Sequence, residues 1–483
     1  MSSSSIPGSS GRRSGPASSL FPQRAIPLGA ALRRVFSKGY RASDLQADVL
    51  AGAVVGIVAL PLSMALSIAV GAPPQHGLYT AIVAGAVVAL LGGCKFQVTG
   101  PTAAFGVILA PIVTRHGLGG LLTAGLLAGF MMVAMGLARL GKLIQYIPYP
   151  VTTGFTTGIA TVIATLQIKD ACGLSVGALP DSFVEKVRAL FEARGTARLS
   201  EIVVAAATFT LLRLVPRLVK RIPAPLIAIG LVAVLAALAH HIWPGFEVAT
   251  IGSRFHTRVD GVDVAGIPPL LPAPSLPWGP AGLSLATVRE LLPSAFAIAM
   301  LGAIESLLSA VIADGMTGTR HEPNSELVAL GIGNIVAPFF GGIAATGALA
   351  RTATNIRAGA RSPFAAFTHA VVVLLCMVVF AKLVGYVPMA SLAALLLLVA
   401  WNMSEVRAFF GIVRVAPKSD VIVLLLCFGL TVLFDMVIAV SVGVVLAALL
   451  FIGRMAALTE GRIVLETEDE PDPVRLPPGV LLY

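Results

Sequence analysis

Two short elements contain residue types that could bind an anion. In each element a short extended stretch interrupts the run of helices, and we call them the interrupted elements. The first reads Gln97-Val-Thr-Gly-Pro-Thr-Ala-Ala-Phe105, and the second reads Ala344-Ala-Thr-Gly-Ala-Leu-Ala-Arg-Thr-Ala-Thr-Asn355. In the first, Gly100 lets the chain turn, and Pro101 suits the first turn of a helix, where its missing N–H group is not needed. In the second, Gly347 follows an extended stretch and small residues open the helix. Each element therefore predicts a helix that begins abruptly after a short extended segment.

These two helix starts would form an anion site if they faced each other inside a membrane. The first N–H groups of a helix have no intrahelical partner, and the helix dipole places partial positive charge there. Such an end binds anions without a dedicated basic residue. The alternative is that both elements are glycine-rich kinks, because small residues are common wherever membrane helices touch. The small side chains that would let an anion approach the backbone are Thr102, Ala103, Ala348 and Ala350.

Arg351 and Glu305 are charged residues at predicted membrane depth. Arg351 lies one turn into the second helix, and Glu305 lies in the middle of an apolar run. An unpaired charge there costs about 2.5–3.5 kcal/mol or more, so each residue needs a partner. For Arg351 the partner is either the substrate anion or a carboxylate such as Glu305. Because burial favours the neutral carboxyl, Glu305 is a candidate for reversible protonation in a proton-coupled carrier, although pairing with Arg351 would oppose this.

The remaining titratable residues do not suggest a catalytic or metal site. Cysteines and histidines lack ligand spacing, and no nucleophile–base pair is apparent at membrane depth. We therefore expect no metal, no cofactor and no enzymatic activity. Four aspartates at the ends of apolar runs are expected to be water-accessible interfacial or capping residues: Asp48, Asp170, Asp314 and Asp435.

The elements that position these residues are membrane spans. Of the 483 residues, 57% are hydrophobic and 12% are charged, whereas a soluble domain has about 25% charged residues. This composition excludes a water-soluble globule. Apolar runs of about 20 residues are long enough to cross ~30 Å of hydrocarbon. Such runs are predicted at 47–71, 76–94, 117–140, 147–168, 199–216, 225–243, 287–312, 325–341, 363–383, 385–402, 418–434 and 436–454.

Two further stretches, 101–114 and 347–358, are too short or too polar to cross alone and are interpreted as half-helices. They bring the total to fourteen segments, seven in each half. Similar Gly-rich stretches, 85–93 and 333–342, precede the two half-helices. An odd number of segments per half makes the repeats opposite in orientation, which is typical of secondary transporters. The predicted fold is an all-α polytopic membrane protein with two inverted seven-segment repeats.

The formal charge of +10 is located largely at the ends of apolar segments. The positive-inside rule therefore places the N-terminus in the cytoplasm. Fourteen segments return the C-terminus to the same side, as expected for a multi-pass protein of the inner (cytoplasmic) membrane. This distribution explains the charge without a nucleic-acid partner, and the Ser- and Gly-rich residues 1–20 predict a disordered tail. The basic residues before the first span are Arg12, Arg13, Arg24, Arg33, Arg34, Lys38 and Arg41.

Across essentially its whole membrane length the chain resembles the sulfate permease (SulP) family of anion transporters. The motifs that carry this resemblance are Ala51-Gly-Ala-Val-Val-Gly-Ile-Val-Ala-Leu-Pro61, Gly77-Leu-Tyr79, Thr99-Gly-Pro-Thr102 and Ala348-Leu-Ala-Arg-Thr352. The resemblance implies a small-anion site between half-helices 3 and 10, which adds Thr99, Leu349 and Thr352 to the candidate binding residues. Some relatives have bulky aromatic or Gln side chains in segment 1 where this chain has Leu62 and Leu66, so this pair is expected to affect the pocket's size.

Within the family the chain looks like the bacterial dicarboxylic acid uptake branch, called DauA. The motifs are Gly302-Ala-Ile-Glu-Ser-Leu-Leu308, Asp314-Gly-Met-Thr-Gly-Thr319, Asn324-Ser-Glu-Leu327 and Ala400-Trp-Asn-Met-Ser-Glu405. This resemblance implies proton-coupled uptake of C4-dicarboxylates such as fumarate and succinate. We expect an elevator-like movement in a homodimer embedded in the lipid bilayer.

The resemblance also implies a domain organisation. A cytoplasmic tail, 1–43, precedes the transport domain, 44–454. The core is expected at about 44–140 and 287–383, and the gate at about 141–243 and 385–454. Residues 455–483 resemble a linker and the truncated start of a cytoplasmic STAS domain.

Two alternatives to dicarboxylate transport stay open at this point. Backbone dipoles recognise negative charge with little regard for the rest of the ligand, so sulfate, bicarbonate or chloride could be the substrate, and sodium could replace the proton. An anion sensor that binds without transporting would carry the same site.

Overall fold

The computed structural model describes residues 26–434, apart from 145–147, 178–179, 181, 220–222, 260–261 and 280–281, together with positions 442, 445, 446 and 449. Except for those last four positions, the predicted final span 436–454 lies outside the described residues. So do Asp435, the tail residues 1–25 and the region 455–483. The described part is built mainly from helices.

The first half of the chain supplies several spans, a short strand and a half-helix. The elements are α1 (Ala30–Ser37), α2 (Ala42–Ala69), α3 (Pro74–Leu91), β1 (Thr99–Gly100), α4 (Gly106–Leu137), α5 (Gly141–Ile144), α6 (Tyr149–Ala171), α7 (Phe183–Glu192), α8 (Leu199–Leu218) and α9 (Ala224–Ile242). A 3₁₀ turn, Ala103–Phe105, leads into α4. At Gly117, α4 breaks with a φ of 65°, which divides it into a half-helix and the following span. The predicted division between 101–114 and 117–140 is therefore confirmed.

The second half repeats this order after a short connecting region. The elements are α10 (Ile251–Arg254), β2 (His256–Val259), β3 (Val262–Ala265), α11 (Leu285–Thr317), α12 (Pro323–Val336), β4 (Thr346–Gly347), α13 (Leu349–Arg357), α14 (Phe364–Val384), α15 (Met389–Met403), α16 (Val406–Val415) and α17 (Lys418–Leu433). With 9 residues, α13 is too short to cross a bilayer,. It is the second half-helix that the sequence predicted.

Nine of the described helices are long and apolar enough to span a membrane. Several helices start where the sequence places a proline, because proline lacks the N–H group that a first helical turn leaves unpaired. Proline occupies one of the first two positions of α3, α6, α9 and α12.

The helices pack into two groups. In the first group, α14 packs on α2 and α3, while α4 packs on α11 and α12. In the second group, α6 packs on α15 and α17, while α8 packs on α9 and α15. Each group takes helices from both halves of the chain, which agrees with two interlocked repeats of an all-α membrane protein.

Several short elements were not predicted from the sequence. They are α1, α7, α16 and the hairpin in which β2 pairs antiparallel with β3. The helices α1, α7 and α16 are amphipathic, as helices that lie along a surface are. A search for apolar runs of spanning length does not detect such segments, because only one face of each is apolar.

The burial of Asp48 contradicts one prediction. It was expected to be accessible to water, but its side chain is fully buried. One carboxylate oxygen accepts hydrogen bonds from the backbone N–H groups of Arg361 (2.6 Å) and Ser362 (2.9 Å), and the other accepts from the hydroxyl groups of Tyr40 and Ser362. The prediction was wrong because the loop before α14 folds over the start of α2.

Candidate functional site

The two interrupted elements meet as a pair of short strands. β1 pairs antiparallel with β4, with Thr99 opposite Gly347 and Gly100 opposite Thr346. Two further bonds extend the contact: the Ala348 N–H donates to the Val98 carbonyl at 2.9 Å, and the Val98 N–H donates to the Thr352 hydroxyl at 3.1 Å. Because the strands run in opposite directions, the two half-helices leave the pair from opposite ends.

Buried polar side chains hold β4 in place. The Asn334 amide donates to the Ala345 carbonyl at 2.9 Å and accepts from the Ala345 N–H at 2.8 Å. The Thr346 hydroxyl donates to the Gly302 carbonyl of α11 at 2.7 Å. These bonds satisfy backbone groups that would otherwise be unpaired at membrane depth.

Arg351 reaches from α13 across to the other interrupted element. Its side chain is 2% exposed, and its Nη2 atom donates to the Pro101 carbonyl. Its Nε and Nη1 atoms have no hydrogen-bond partner in the part of the chain that the structure describes. The guanidinium packs on Gly100, where an added Cβ would overlap it. A buried donor without a partner is costly, so these two nitrogen atoms favour a bound anion.

Glu305 lies on α11 near the other half-helix. Its Oε2 atom accepts a hydrogen bond from the Thr102 hydroxyl at 2.9 Å. No described ion pair within 4.0 Å joins Glu305 to Arg351. The direct pairing that the sequence left open is therefore not formed, and the guanidinium keeps its unpaired donors.

The predicted site residues differ in their exposure. Leu349 and Ala350 are exposed at the start of α13, so this helix end is accessible, whereas Leu62, Thr102 and Glu305 are partly buried. Leu66 belongs to the apolar cluster that contains Ala103, and Leu62 packs against that cluster. The buried members of the predicted set are Leu66, Thr99, Gly100, Ala103, Gly347, Ala348, Arg351 and Thr352.

Sequence reasoning missed a polar chain beneath the strand pair. The Gln97 side-chain amide donates to Ser306 Oγ at 2.6 Å and to Glu326 Oε1 at 2.7 Å. The other oxygen of Glu326 accepts from two backbone N–H groups at 2.8 Å, those of Gly93 and Cys94. The signal was available, because Glu326 is an acid in an apolar run and the argument applied to Glu305 applies to it equally.

Comparison with known proteins identifies the family of this chain. The model of the sulfate permease family matches residues 45–427. YvdB of Bacillus subtilis, whose name assigns it provisionally to sulfate transport, is 42% identical over 439 residues, which cover 90% of this chain and 79% of YvdB. The bicarbonate transporter BicA of Picosynechococcus is 30% identical over 447 residues, covering 90% of this chain and 74% of BicA. The chain belongs to the sulfate permease family.

A solved structure of this kind has the same fold. The transmembrane domain of a cyanobacterium bicarbonate transporter BicA matches with a TM-score of 0.68 and 27% sequence identity, covering 85% of this chain and 98% of that domain. The predicted all-α polytopic membrane fold and the resemblance to the sulfate permease family are thus confirmed. As a member of this family, the chain is a membrane transport protein and not an enzyme, as the sequence predicted.

Proposed function

We propose that this protein is a secondary active transporter of small anions that takes up C4-dicarboxylates such as fumarate and succinate together with protons. The observation that carries the proposal is the buried Arg351 guanidinium, which has two unpartnered donors beside two paired helix starts. A fixed cation combined with helix N-termini attracts an anion and provides directed hydrogen bonds to it.

The substrate carboxylate would lie between the half-helices. The exposed start of α13 offers backbone N–H groups and a small side chain, Ala350. On the opposite side, Leu62 and Leu66 of α2 would border the apolar part of the ligand. The residues proposed to line the site are Thr99, Gly100, Thr102, Ala103, Gly347, Ala348, Leu349, Ala350, Arg351 and Thr352, with Leu62 and Leu66.

Glu305 is the proposed proton-coupling group. Its carboxyl accepts a hydrogen bond from Thr102 (2.9 Å), which stands at the start of the first half-helix. A dianion that enters this region adds negative charge close to the carboxylate. Protonation of Glu305 removes one negative charge, so substrate and proton would favour each other's binding.

Transport would proceed by an elevator-like shift of the core, about 44–140 and 287–383, against the gate, about 141–243 and 385–454. The strand pair joins two elements of the core, so both halves of the site would move together. We propose an inner-membrane homodimer with both termini in the cytoplasm.

The resemblance to the dicarboxylic acid uptake branch supports a C4-dicarboxylate as substrate. A second candidate substrate is sulfate or bicarbonate, because the names of similar proteins refer to these anions. Tetrahedral and planar oxyanions can both accept hydrogen bonds from a guanidinium and helix N–H groups.

Uptake of labelled fumarate into proteoliposomes tests the proposal. We expect uptake to rise when the outside is made acidic and to fall to the level of protein-free liposomes when excess unlabelled succinate is added. Collapsing the proton gradient with an ionophore is the matched control. Sodium-dependent bicarbonate uptake that fumarate does not inhibit would reject dicarboxylate as the substrate. Binding of anions without uptake of any of them would favour a sensor.

A further inference from the structure

A basic cavity lies at one end of the core, where α1 packs beside the membrane helices. Its volume is about 470 Å³. Its wall is built from α1 and the turn after it, the start of α2, the loop between α3 and β1, the loop after α11, and Arg361. One acidic residue, Asp44, also lines it. The basic residues in the wall are Arg34, Lys38, Lys95, Arg320 and Arg361.

Three of these five cations form no ion pair with a carboxylate of the described residues. Arg361 lies 3.5 Å from Asp44, and Arg34 lies 4.0 Å from Glu322. For Lys38, Lys95 and Arg320, the described ion pairs include no carboxylate within 4.0 Å. The cavity therefore has an excess of positive charge within a concave wall.

Lys95 is the most enclosed of the three cations that form no ion pair among the described residues. It lies over the Phe96 ring, 5.2 Å from the ring centroid. Burial lowers the pKa of Lys95, because removal of water disfavours the ammonium form,. An anion in the cavity would stabilise that charged form, which makes this lysine a favourable contact for a negatively charged group.

The cavity also borders an apolar surface. Phe36 lies between the wall residues Val35 and Lys38 in the chain and is 56% exposed. Leu45 follows the wall residue Asp44 and is 47% exposed. Exposed apolar side chains next to basic ones are typical of segments that lie in the lipid headgroup region. Because of this apolar edge, the cavity differs from a basic patch that is surrounded only by water.

We propose that the cavity binds the phosphate group of an anionic membrane lipid. The phosphate would contact Lys38, Lys95 and Arg320, and the acyl chains would lie along the apolar edge at Phe36 and Leu45. A volume of about 470 Å³ accommodates a phosphate together with a glycerol headgroup. A basic residue near a membrane surface contributes about 1 kcal/mol to attraction of anionic lipid.

Native mass spectrometry of the purified full chain tests this site. Delipidated protein in detergent is titrated with dioleoyl phosphatidylglycerol or with dioleoyl phosphatidylcholine. We expect the wild type to bind phosphatidylglycerol more tightly. The variant K38Q/K95Q/R320Q should bind it about a hundredfold more weakly, or about fivefold for each cation removed. Its affinity for phosphatidylcholine should not change.

The matched control removes the same number of charges elsewhere. Arg407, Arg414 and Lys418 are exposed basic residues of the gate that do not line the cavity. The variant R407Q/R414Q/K418Q should bind phosphatidylglycerol like the wild type. Equal losses in both triple variants, or no loss in K38Q/K95Q/R320Q, would overturn the proposal. The single variant Arg320→Gln, checked by size-exclusion chromatography, gives a milder test if the triple variant fails to fold.

Inorganic phosphate distinguishes a lipid from a soluble ligand. Thermal unfolding is followed with phosphatidylglycerol or with inorganic phosphate at matched concentration. We expect the lipid alone to raise the melting temperature of the wild type. Equal stabilisation by inorganic phosphate would mean that the cavity takes a soluble phosphate, and the lipid proposal would be rejected.

Discussion

The two half-helix starts have the same backbone arrangement but differ in the charge of their side chains. Each follows a two-residue strand, and the two strands pair with each other. Arg351 stands four residues after Gly347, whereas the residue four after Gly100 is Ala104, which is fully buried and apolar. The second start carries the fixed cation, and the first carries Thr102 and its bond to Glu305.

This difference shows that the two halves of the chain supply the same backbone arrangement at the site but different charged residues. Two helix dipoles alone would make a symmetric site with a weak field. In the proposed site, a single buried guanidinium would make the field asymmetric and would give the anion one preferred orientation. Glu305, close to the first start, is the group proposed to couple binding to a proton.

The largest effect should come from Arg351→Ala. Loss of hydrogen bonds to a charged group costs about 1.5–3 kcal/mol, which corresponds to roughly ten- to a hundredfold in affinity. Isothermal calorimetry of fumarate binding measures this change. The exposed Arg357 on the same helix provides the control, because Arg357→Ala removes an equal charge outside the site. If Arg351→Ala binds fumarate as tightly as the wild type between about pH 5 and 8, Arg351 is not a binding residue.

Glu305→Gln should abolish the coupling of uptake to protons without preventing the binding of fumarate. The amide keeps the shape of the side chain but cannot take up a proton, so stimulation of uptake by external acid should disappear while fumarate still binds. Proteoliposome flux with and without a proton gradient measures the first effect, and calorimetry measures the second. A variant that retains the full stimulation would exclude Glu305 as the coupling group.

A pair of glycine substitutions compares the two strands directly. A Cβ at Gly347 would overlap the Gln97 amide and lie 3.0 Å from the Ser306 Cα, whereas the three atoms nearest a Cβ at Gly100 would all belong to the Arg351 guanidinium. Gly347→Ala should therefore destabilise the fold by about 1–3 kcal/mol through overpacking. Gly100→Ala should leave stability nearly unchanged and weaken anion binding, because the guanidinium can move.

Thermal unfolding in detergent and calorimetry, applied to both glycine variants, make this comparison. Equal loss of stability in the two proteins would show that Gly100 is as tightly constrained as Gly347. In that case the guanidinium would be a structural part of the core rather than an adjustable ligand.

The smallest effect should come from Thr102→Val. This change removes the hydroxyl that donates to Glu305 at 2.9 Å and keeps the size of the side chain. One hydrogen bond contributes about 0.5–1.5 kcal/mol, so we expect the acid-stimulated uptake rate to change about two- to tenfold. Fumarate affinity at fixed pH should stay near that of the wild type. A large loss of affinity instead would show that the Thr102 hydroxyl binds the substrate itself and does not act only on Glu305.

The sequence alone determined the spans within the part of the chain that the structure describes, the half-helices and the family. Bilayer thickness sets the length of an apolar run, so the predicted bounds agree with the described helices within a few residues. Gly100 with Pro101, and Gly347 with its small neighbours, marked the two helix starts because glycine and proline act on the local backbone. Arg351 and Glu305 stood out because a charge in an apolar run is costly wherever the chain folds.

Only the tertiary structure decided which of these groups meet. Val98 and Thr352 are 254 residues apart in the chain, yet they share a hydrogen bond. The placement of Arg351 on Pro101 and Gly100 rather than on Glu305 depends on the same long-range pairing. Local hydropathy and propensity report the environment of a residue along its own segment. They do not identify the partner that a distant segment brings to it, which is why the strand pair, the Gln97–Glu326 contact and the burial of Asp48 were not predictable.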